Sequence, residues 1–436
     1  MKGIKMSIIG AGSSYTPELI EGVINNIDEL PITEIVLIDI ETGRKKLDII
    51  FNLTKRMLKK SNINIKVWTT CNRKEGIKNS DFIISQIRVG GLKAREKDEL
   101  ISLKNNLIGQ ETTGAGGFAN ALRTIPVMLD ICKDIEQVAP NSWLINFTNP
   151  AGIITEAIMQ YTKVKVIGLC NVPYNMKINI SKILEVKNER LSIDFVGLNH
   201  LIFGKKVYLD NKDITKKVVE ILCSGKSINI SNIPDLKWDK SFLRAMGMVP
   251  CPYHRYFYMK DRMLEEELSS LNKNKSTRAV QVMEIENKLF DIYMMENTEE
   301  KPKELEDRGG AYYSTVAISL INAIYNDKNE VHTVNVKNNG IIKELPKDSV
   351  IEVNSIINKD GAMPLEVGEL DEKIKGLIIS IKNYERFTIK ASVEKDYNCA
   401  LLALINNPLV GSIEKSKAVL EDIFLENKKY LQGFNI

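Results

Sequence analysis

The sequence predicts an α/β protein in which a doubly wound parallel sheet is followed by a mixed α+β domain. Through the first half of the chain, short apolar runs alternate with helical segments, which is typical of parallel strands joined by crossover helices. After about residue 195, strand-like segments follow one another directly, which is typical of antiparallel pairing. The 436 residues exceed the size of a single core, and the predicted domains are 1–195 and 196–436.

The predicted N-terminal domain begins with a strand, a glycine turn and a helix. The apolar run GIKMSIIGAG precedes TPELIEGVINNIDEL, for which we expect Thr16 as the N-cap and Pro17 at the first helical position. The segment GRKKLDIIFNLTKRMLKK has helical spacing. Further buried strands are expected at residues 34–41, 81–87, 142–150 and 165–173.

The predicted C-terminal domain combines antiparallel strands with long helices. Antiparallel strands are expected within 193–210, and helices around 277–296 and 311–326. Residues 331–353 are strand-like on both sides of Asn339-Gly340, a dipeptide that favours a tight turn.

Composition excludes several classes of protein. The net charge of +4 is small for this length and the lysines are mixed with acids, so nucleic acid is not an expected partner. No apolar run reaches the roughly 18 residues of a membrane span, so we expect no membrane association. The six cysteines have no paired spacing, which suits reduced thiols. We therefore expect a cytoplasmic protein, for which a small anionic substrate remains open.

A glycine-rich loop indicates a dinucleotide site. GAGSSY, residues 10–15, supplies the first two glycines of GxGxxG and has tyrosine at the third position. It follows a strand and opens a helix, and a carboxylate ends the next strand, where it can accept both ribose hydroxyls. The expected NAD-binding residues of this Rossmann-like domain are Gly10, Gly12, Ser13, Ser14 and Asp39. The alternative is a simple tight turn with Asp39 as a cap.

Five further motifs occur in a fixed order. They are QIRVGGLKAREKDE (86–99), GQETTGAGGFANALRTIP (109–126), NFTNP (146–150), CNVP (170–173) and GLNH (197–200). Together with the glycine loop they resemble glycoside hydrolase family four, the NAD- and divalent-metal-dependent glycosidases. The resemblance runs from the first strand to at least residue 286.

The resemblance implies a redox-assisted elimination instead of direct displacement at the anomeric carbon. In that family, bound NAD+ takes hydride from C3 of the sugar, and the ketone acidifies the proton on C2. A base removes this proton, the aglycone leaves from C1, water adds, and NADH returns the hydride. The resemblance makes Cys170 and His200 the protein ligands of a divalent metal. Soft donors alone would suggest zinc, whereas the family implies Mn2+ or a similar ion.

The resemblance also assigns the base. The segment VPCPYHRYFYM (249–259) maps the family's tyrosine onto Tyr253. For Tyr256 and Tyr258 we expect packing roles, although both are rivals for the base. His254 has no evident partner, and His332 is expected to be structural. Read from its local sequence alone, Cys170 would be a small buried hydrophobe.

Four residues match substrate contacts of the family: Arg95, Glu111, Asn149 and Arg278. Arg278 corresponds to the arginine near the sugar phosphate, which a planar guanidinium can bind through two hydrogen bonds. Surface salt bridges for the arginines, and a cap for Glu111, are the alternatives. Members that act on α-linked substrates carry aspartate after the cysteine, whereas this chain has Asn171, which cannot protonate the leaving group.

The substrate expected from this resemblance is therefore a 6-phospho-β-glucoside, such as cellobiose 6-phosphate or an aryl-β-glucoside 6-phosphate. For the acid that protonates the leaving group, Asp98 and Glu111 are the candidates. Alternatives are a family member specific for 6-phospho-α-glucosides or unphosphorylated glycosides, a hydroxyacid dehydrogenase, and a non-catalytic NAD-binding sensor. A homodimer or homotetramer is expected from the family, with the C-terminal domain binding substrate and metal and forming the oligomer.

Overall fold

The computed structural model describes residues 3–230, 233–274, 276–308 and 312–434. Its strands are β1 (Ile4–Ile9), β2 (Ile32–Ile38), β3 (Lys66–Thr70), β4 (Phe82–Ser85), β5 (Trp143–Asn146), β6 (Lys165–Gly168), β7 (Leu191–Leu198), β8 (Leu201–Leu209), β9 (Lys212–Asp213), β10 (Val249–Pro250), β11 (Glu330–Lys337), β12 (Val350–Asn358) and β13 (Gly361–Pro364).

The α-helices are α1 (Thr16–Asn25), α2 (Arg44–Lys60), α3 (Arg73–Ile77), α4 (Gly91–Lys104), α5 (Gly114–Val138), α6 (Ala151–Tyr161), α7 (Val172–Leu184), α8 (Thr215–Cys223), α9 (Lys240–Met246), α10 (Arg255–Tyr258), α11 (Lys260–Asn274), α12 (Arg278–Met294), α13 (Tyr313–Tyr325), α14 (Glu372–Glu394), α15 (Tyr397–Asn406) and α16 (Ile413–Glu426). None of these helices in the described ranges has the length and apolarity that a membrane span requires.

A mixed sheet of nine strands forms the centre of the described structure, in the order β13-β12-β11-β6-β5-β4-β1-β2-β3. Its strands β1 to β6 are parallel to one another and follow the order 3-2-1-4-5-6 of a doubly wound dinucleotide-binding fold. The central strands are buried along most of their length, as expected for parallel strands covered on both faces. This confirms the predicted fold class, although the partly exposed edge strand β3 was not predicted.

Three strands from the C-terminal half extend this sheet. β11 pairs antiparallel with β6 through Asn335 and Gly168, and β12 and β13 continue outward in antiparallel order. A strand on each side of Asn339-Gly340 is confirmed, and the two strands pair. The tight turn is wrong, because residues 338–349 connect the strands, with Asn339 and Gly340 both at positive φ within that longer loop. The sheet thus contains strands from both sides of residue 195. The division of the chain into two functional domains at that position stays a prediction.

A second sheet holds the β7–β8 hairpin and confirms the antiparallel strands expected within 193–210. Leu198 pairs with Leu201, so Asn199 and His200 form the turn. His200 has a φ of 62°, a left-handed conformation that histidine adopts more readily than most residues. Gly197 has a φ of 148°, and a Cβ there would lie 2.1 Å from the Leu201 carbonyl oxygen, so only glycine fits.

The first helix starts differently from the prediction. Tyr15, not Thr16, is the N-cap of α1, so the assignment of Thr16 is wrong. The Thr16 hydroxyl instead donates to the Ala11 carbonyl at 2.8 Å and ties the helix to the glycine loop. Pro17 does lie in the first turn, and the helix buries Leu19 in the main hydrophobic core.

A buried ion network joins α6 to α14. Lys382 donates to Glu156 at 2.7 Å and also pairs with Glu385, and all three side chains are buried. Arg386 lies 3.5 Å from the other Glu156 oxygen. The Glu156 carboxylate also accepts the Val350 N–H at 2.8 Å, which links the network to β12.

Lys382→Met should lower the free energy of unfolding by about 3–5 kcal/mol, because removing one partner of a buried ion pair leaves charge uncompensated. Urea unfolding followed by tryptophan fluorescence measures this change. The control is Lys375→Met on the same helix, whose pair with Glu372 is on the surface, and which should unfold like the wild type. Equal stability of the two variants would contradict a stabilising role for the network.

Candidate active site

Four sequence motifs lie at one edge of the parallel sheet. The glycine loop follows β1, QIRVGG follows β4, NFTNP overlaps the end of β5, and CNVP begins just after β6. Strand order reverses between β1 and β4, and ligands of open α/β sheets bind at the carboxyl ends of the strands there. A Cβ on Gly10 would lie 3.0 Å from the Gln86 carbonyl oxygen, so these two loops are in contact.

The glycine loop is fastened to the end of β2. The Gly12 N–H donates to Asp39 Oδ2 at 2.7 Å, and a Cβ on Gly12 would lie 2.7 Å from the same oxygen. Gly10 has a φ of 82°. Burial raises the pKa of Asp39, against the opposing hydrogen bonds from the Ile40 and Gly12 backbone. Gly10 and Gly12 therefore lie in a close turn, and the Asp39 carboxylate is beside it.

The two serines of the loop face different surroundings. Ser13 Oγ accepts from the Tyr15 N–H at 3.3 Å. Ser14 is buried, and its hydroxyl is 3.4 Å from Glu286 Oε2 on α12. The Ser14 side chain therefore contacts the C-terminal half of the chain, and its backbone carbonyl accepts from the Tyr293 hydroxyl at 2.8 Å.

Sequence reasoning missed a charged cluster behind the glycine loop. Glu286 pairs with Lys46 of α2 and, at 3.2 Å, with Arg308. The Arg308 guanidinium lies 4.3 Å from the centre of the Tyr15 ring. The cluster joins α2, α12 and the glycine loop. Of this cluster, only Glu286 lay in a segment that the sequence analysis singled out. The cluster was missed because Lys46 and Arg308 are far from Glu286 along the chain.

The hairpin turn that carries His200 also contacts Cys170. Each side chain is 8% exposed, and Cys170 hydrogen-bonds to the side chain of Asn199, the residue before His200. Burial, together with Glu352, raises the pKa of the Cys170 thiol. Burial also lowers the pKa of His200 to about 4, with Glu111 acting in the opposite direction. His200 Nδ1 is 2.9 Å from Thr112 Oγ1.

Tyr253 is stacked on the imidazole of His200. The ring centres are 3.8 Å apart and the planes differ by 6°. Tyr256 is buried at 6.1 Å from Tyr253, and burial raises its pKa well above the ordinary value. The buried Tyr258 hydroxyl has no hydrogen-bond partner within the described structure. The arrangement places Tyr253, and neither of its rivals, against a predicted metal ligand.

The other two histidines, His254 and His332, have surroundings different from those of His200. His254 is buried against Phe203, with 4.0 Å between ring centres, and neither of its ring nitrogens has a partner among the described residues. Burial lowers its pKa to about 3. His332 lies on β11, with its ring 3.5 Å from Glu330.

Glu111 lies in a group of buried charges. Arg88 contacts one of its oxygens at 2.5 Å and Arg95 contacts the other at 3.1 Å. Arg95 also donates to Glu99 at 2.7 Å. Burial alone would raise the pKa of Glu111, but Arg88 and Arg95 outweigh it and lower this pKa to about 2. Glu111 is therefore ionised at neutral pH. Arg88 was not predicted, although it lies in the QIRVGG motif.

The remaining predicted substrate contacts are at element ends. Asn149 follows β5, and its carbonyl accepts from Asn120 at 3.3 Å. Asn171 is the N-cap residue of α7. Arg278 is the first residue of α12, and its Nε, although buried, has no partner among the described residues. Burial and the nearby cation Arg95 lower the pKa of Arg278.

Both acid candidates are paired with arginines through both of their carboxylate oxygens. Asp98 contacts Arg123 through both oxygens, at 2.8 and 2.6 Å, inside the interface of α4 and α5. Burial raises the pKa of Asp98 to about 6 despite that pairing. Glu111 is ionised, as described above. The structure therefore supports neither residue as the acid for the leaving group.

Comparison with protein families covers nearly the whole chain. Residues 5–186 match the model of the family 4 glycosyl hydrolases, and residues 195–410 match the model of their C-terminal domain. The chain belongs to family 4 of the glycosyl hydrolases. A probable 6-phospho-beta-glucosidase of Bacillus subtilis is 46% identical over 99% of this chain and 98% of its own length. A 6-phospho-beta-glucosidase of Escherichia coli is 43% identical over 99% of this chain and 97% of its own length.

A solved family 4 structure has the same fold throughout. The 6-phospho-beta glucosidase of Thermotoga maritima, solved with NAD and glucose-6-phosphate, superposes with a TM-score of 0.90 at 36% identity. The match covers 98% of this family 4 chain and 99% of the other. The same enzyme has also been solved with manganese, NAD+ and glucose-6-phosphate.

Glu111→Gln should change how stability depends on pH. The pKa of about 2 is below the ordinary value of 4.5, so the carboxylate's contribution is present above pH 4.5 and is lost as pH falls through about 2. Relative to the variant, the wild type should lose about 1 kcal/mol of unfolding free energy between pH 7 and pH 4. Urea titrations at several pH values measure this, and parallel pH curves would contradict the assigned pKa.

Proposed function

We propose that this chain hydrolyses 6-phospho-β-glucosides to glucose 6-phosphate and an aglycone, using NAD and a divalent metal ion. The observation that carries the proposal is that Tyr253 stacks on His200 while Cys170 hydrogen-bonds to Asn199 in the same hairpin turn. Cys170 follows β6, at the sheet edge that also holds the glycine loop. Direct hydrolysis by two carboxylates would need neither a dinucleotide site nor a thiol and imidazole pair.

The glycine loop fits NAD. A side chain on Gly12 would fill the space beside Asp39, so the backbone stays open to a pyrophosphate at the start of α1. Gly10 and Ser13 contribute to the same turn. Asp39 would accept the ribose hydroxyls, which favours NAD over NADP. The burial of Ser14 against Glu286 leaves it a supporting role in the loop.

The donor set fits a labile divalent ion. Cys170 supplies a sulfur and His200 an imidazole nitrogen, and the described residues contain no cluster of three or more metal-binding side chains. Two protein donors leave open coordination positions for substrate oxygens and water. Manganese suits the family, although the softness of the donors alone would favour zinc.

When bound, NAD+ and the metal ion supply a reversible hydride acceptor and a divalent positive charge beside the sugar. Tyr253 would accept the C2 proton, since its ring lies against His200, the residue that would hold the cation. Glu111, held ionised by Arg88 and Arg95, would accept hydrogen bonds from sugar hydroxyls. Tyr253, Glu111 and His200 are each less than one-tenth exposed. A sugar bound against them would be shielded from bulk water.

Arg278 supports a phosphorylated substrate. Its buried Nε has no partner among the described residues, and Thr277 beside it has a buried hydroxyl in the same state. Arg95 is close enough to lower the pKa of Arg278. Two cations and unused donors at the start of α12 would be satisfied by a phosphate group.

Asn171 supports the β-anomer. An amide cannot donate the proton that an aspartate at this position would give to an α-linked leaving group. Asn149, at the end of β5, would contact the sugar from the neighbouring loop. A 6-phospho-α-glucoside or an unphosphorylated glycoside as substrate is disfavoured by Asn171 and Arg278, respectively.

The proposal extends to the setting of the enzyme. We expect a cytoplasmic enzyme, because all six cysteines are free thiols in the structure. We also expect a homodimer or homotetramer, with the C-terminal domain forming the contacts. Light scattering of the purified protein measures the oligomer, and a monomer at assay concentration would contradict this part.

The test of the proposed function is an activity screen. Aryl α- and β-glucosides, each with and without a 6-phosphate, are assayed with and without NAD+ and Mn2+. We expect turnover of the 6-phospho-β-glucosides alone, and only when both cofactors are present. Stoichiometric accumulation of NADH would favour a dehydrogenase, and NAD binding without any turnover would favour a sensor.

Cys170→Ser and His200→Ala should each abolish Mn2+ binding and turnover while NAD+ binding persists, because the metal site is separate from the glycine loop. Electron paramagnetic resonance of free Mn2+ and fluorescence titration with NAD+ measure the two affinities. Cys399→Ser, a buried thiol on α15, is the matched control. Wild-type Mn2+ affinity in Cys170→Ser would refute the ligand assignment.

Arg278→Ala should weaken binding of 6-phosphorylated glucosides by about ten- to a hundred-fold, because a charge-assisted hydrogen bond contributes about 1.5–3 kcal/mol. KM for phosphorylated substrates and inhibition by glucose 6-phosphate measure this. Any residual activity on unphosphorylated glucosides should not change. An equal loss on both substrate types would indicate a packing role instead.

A further inference from the structure

A buried polar chain in the loop between α4 and α5 ends on His200. Its members are Gln110, Thr112, Thr113 and His200, each less than one-tenth exposed. The first three belong to the GQETTG motif, of which the proposed function uses only Glu111. The chain of hydrogen bonds gives the other residues of the motif a role.

Gln110 Oε1 accepts three hydrogen bonds. They come from the Thr112 N–H at 2.6 Å, the Thr112 hydroxyl at 2.8 Å and the Thr113 N–H at 2.9 Å. A backbone N–H can only donate, so the atom that faces the two backbone groups must be the amide oxygen. This fixes the orientation of the Gln110 amide, which the side-chain shape alone leaves open.

The orientation of the amide determines the direction of the next hydrogen bond. A threonine hydroxyl has one hydrogen, and that of Thr112 is donated to Gln110. Towards His200 Nδ1, 2.9 Å away, Thr112 Oγ1 can therefore only accept. Nδ1 must carry the ring proton. A neutral imidazole has a single N–H, so the lone pair is on Nε2.

We infer that Gln110 and Thr112 are positioning residues that hold His200 in its Nδ1–H tautomer, with Nε2 available to the divalent ion. The inference rests on the metal site of the proposed function. Metal-binding histidines commonly donate their second ring N–H to a fixed outer partner, which sets the tautomer and the ring orientation. The opposite tautomer would place a proton on the metal-facing nitrogen and turn the Thr112 hydroxyl away from Gln110.

The Tyr253 ring completes the positioning of the imidazole. It lies parallel to the His200 ring at 3.8 Å, so the plane of the ring is set by stacking while its rotation is set by Thr112. The turn between β7 and β8 sets the backbone position of His200. Three different segments of the chain therefore determine where Nε2 points.

The first test reads the tautomer directly in the metal-free wild type. With only three histidines in the chain, long-range proton–nitrogen correlation spectra of 15N-histidine-labelled protein are simple, and His200→Gln identifies the signal. We expect a protonated Nδ1 and an unprotonated Nε2. A protonated Nε2 with an unprotonated Nδ1 would overturn the inference, whether or not the protein binds metal.

The second test measures Mn2+ affinity by electron paramagnetic resonance. Thr112→Val keeps the shape but removes the hydroxyl, and should weaken Mn2+ binding by about 10- to 100-fold. Thr112→Ser restores the hydroxyl and should recover the wild-type affinity to within about threefold, a rescue that a merely packing role does not predict. NAD+ affinity should be unchanged in both variants.

Thr113→Val is the matched control, because Thr113 is equally buried and its hydroxyl takes part in no hydrogen bond among the described residues. Its Mn2+ affinity should equal that of the wild type. Wild-type affinity in Thr112→Val would overturn the positioning role. Absence of Mn2+ binding in the wild type would instead overturn the proposed metal site, so the two failures are distinguishable. If Thr112→Val does not fold, the tautomer measurement decides.

Discussion

The contacts of one buried carboxyl group, that of Glu352 on β12, hold together the elements that carry the proposed metal donors. Its Oε1 accepts from Asn335 at 2.8 Å and from Asn199 at 3.3 Å. Asn335 is the residue through which β11 joins β6. Asn199, in the hairpin turn, hydrogen-bonds to Cys170. Each bond forms in a water-excluded interior, where an unpaired polar group is costly. The site therefore depends on strands contributed by the far end of the chain.

The buried charges of this protein divide into compensated and uncompensated groups. Lys382 and Asp98 each face an opposite charge at short distance, as buried charges that serve the fold must. Glu111 has an arginine at each oxygen. Arg278 differs, since its buried Nε has no partner among the described residues. The largest charge effect on its pKa comes from another arginine, Arg95, and outweighs the opposing effect of either Glu99 or Glu111. This imbalance is what an anionic ligand would neutralise, and it separates a binding arginine from a structural one.

Local patterns predicted most of the fold, and long-range contacts account for what they missed. The strand, glycine turn and helix at the N-terminus were predictable because neighbouring residues form them, apart from the N-cap of α1, where the Thr16 hydroxyl reaches back to Ala11. Strand β3 was missed because no continuous apolar run marks a partly exposed edge strand. The pairing of β11 with β12 was predictable, whereas their addition to β6 was not.

Cys170 and His200 were found only through the family resemblance, since nothing in the local sequence shows that a hairpin turn will meet the end of β6. The Gln110 and Thr112 contacts lie within one short motif, yet their target is 88 residues away.

In the proposed function, the glycosidic bond breaks by elimination across C1 and C2, so that the C2 proton leaves during each turnover. The most direct measurement is hydrolysis of an aryl 6-phospho-β-glucoside in deuterated water with catalytic NAD+ and Mn2+, followed by NMR of the glucose 6-phosphate. We expect deuterium at C2, a slower reaction when the substrate carries deuterium at C2, and strongly reduced exchange in Tyr253→Phe. Product formed at the full rate, with hydrogen retained at C2 and no isotope effect from C2- or C3-deuterated substrate, would contradict it.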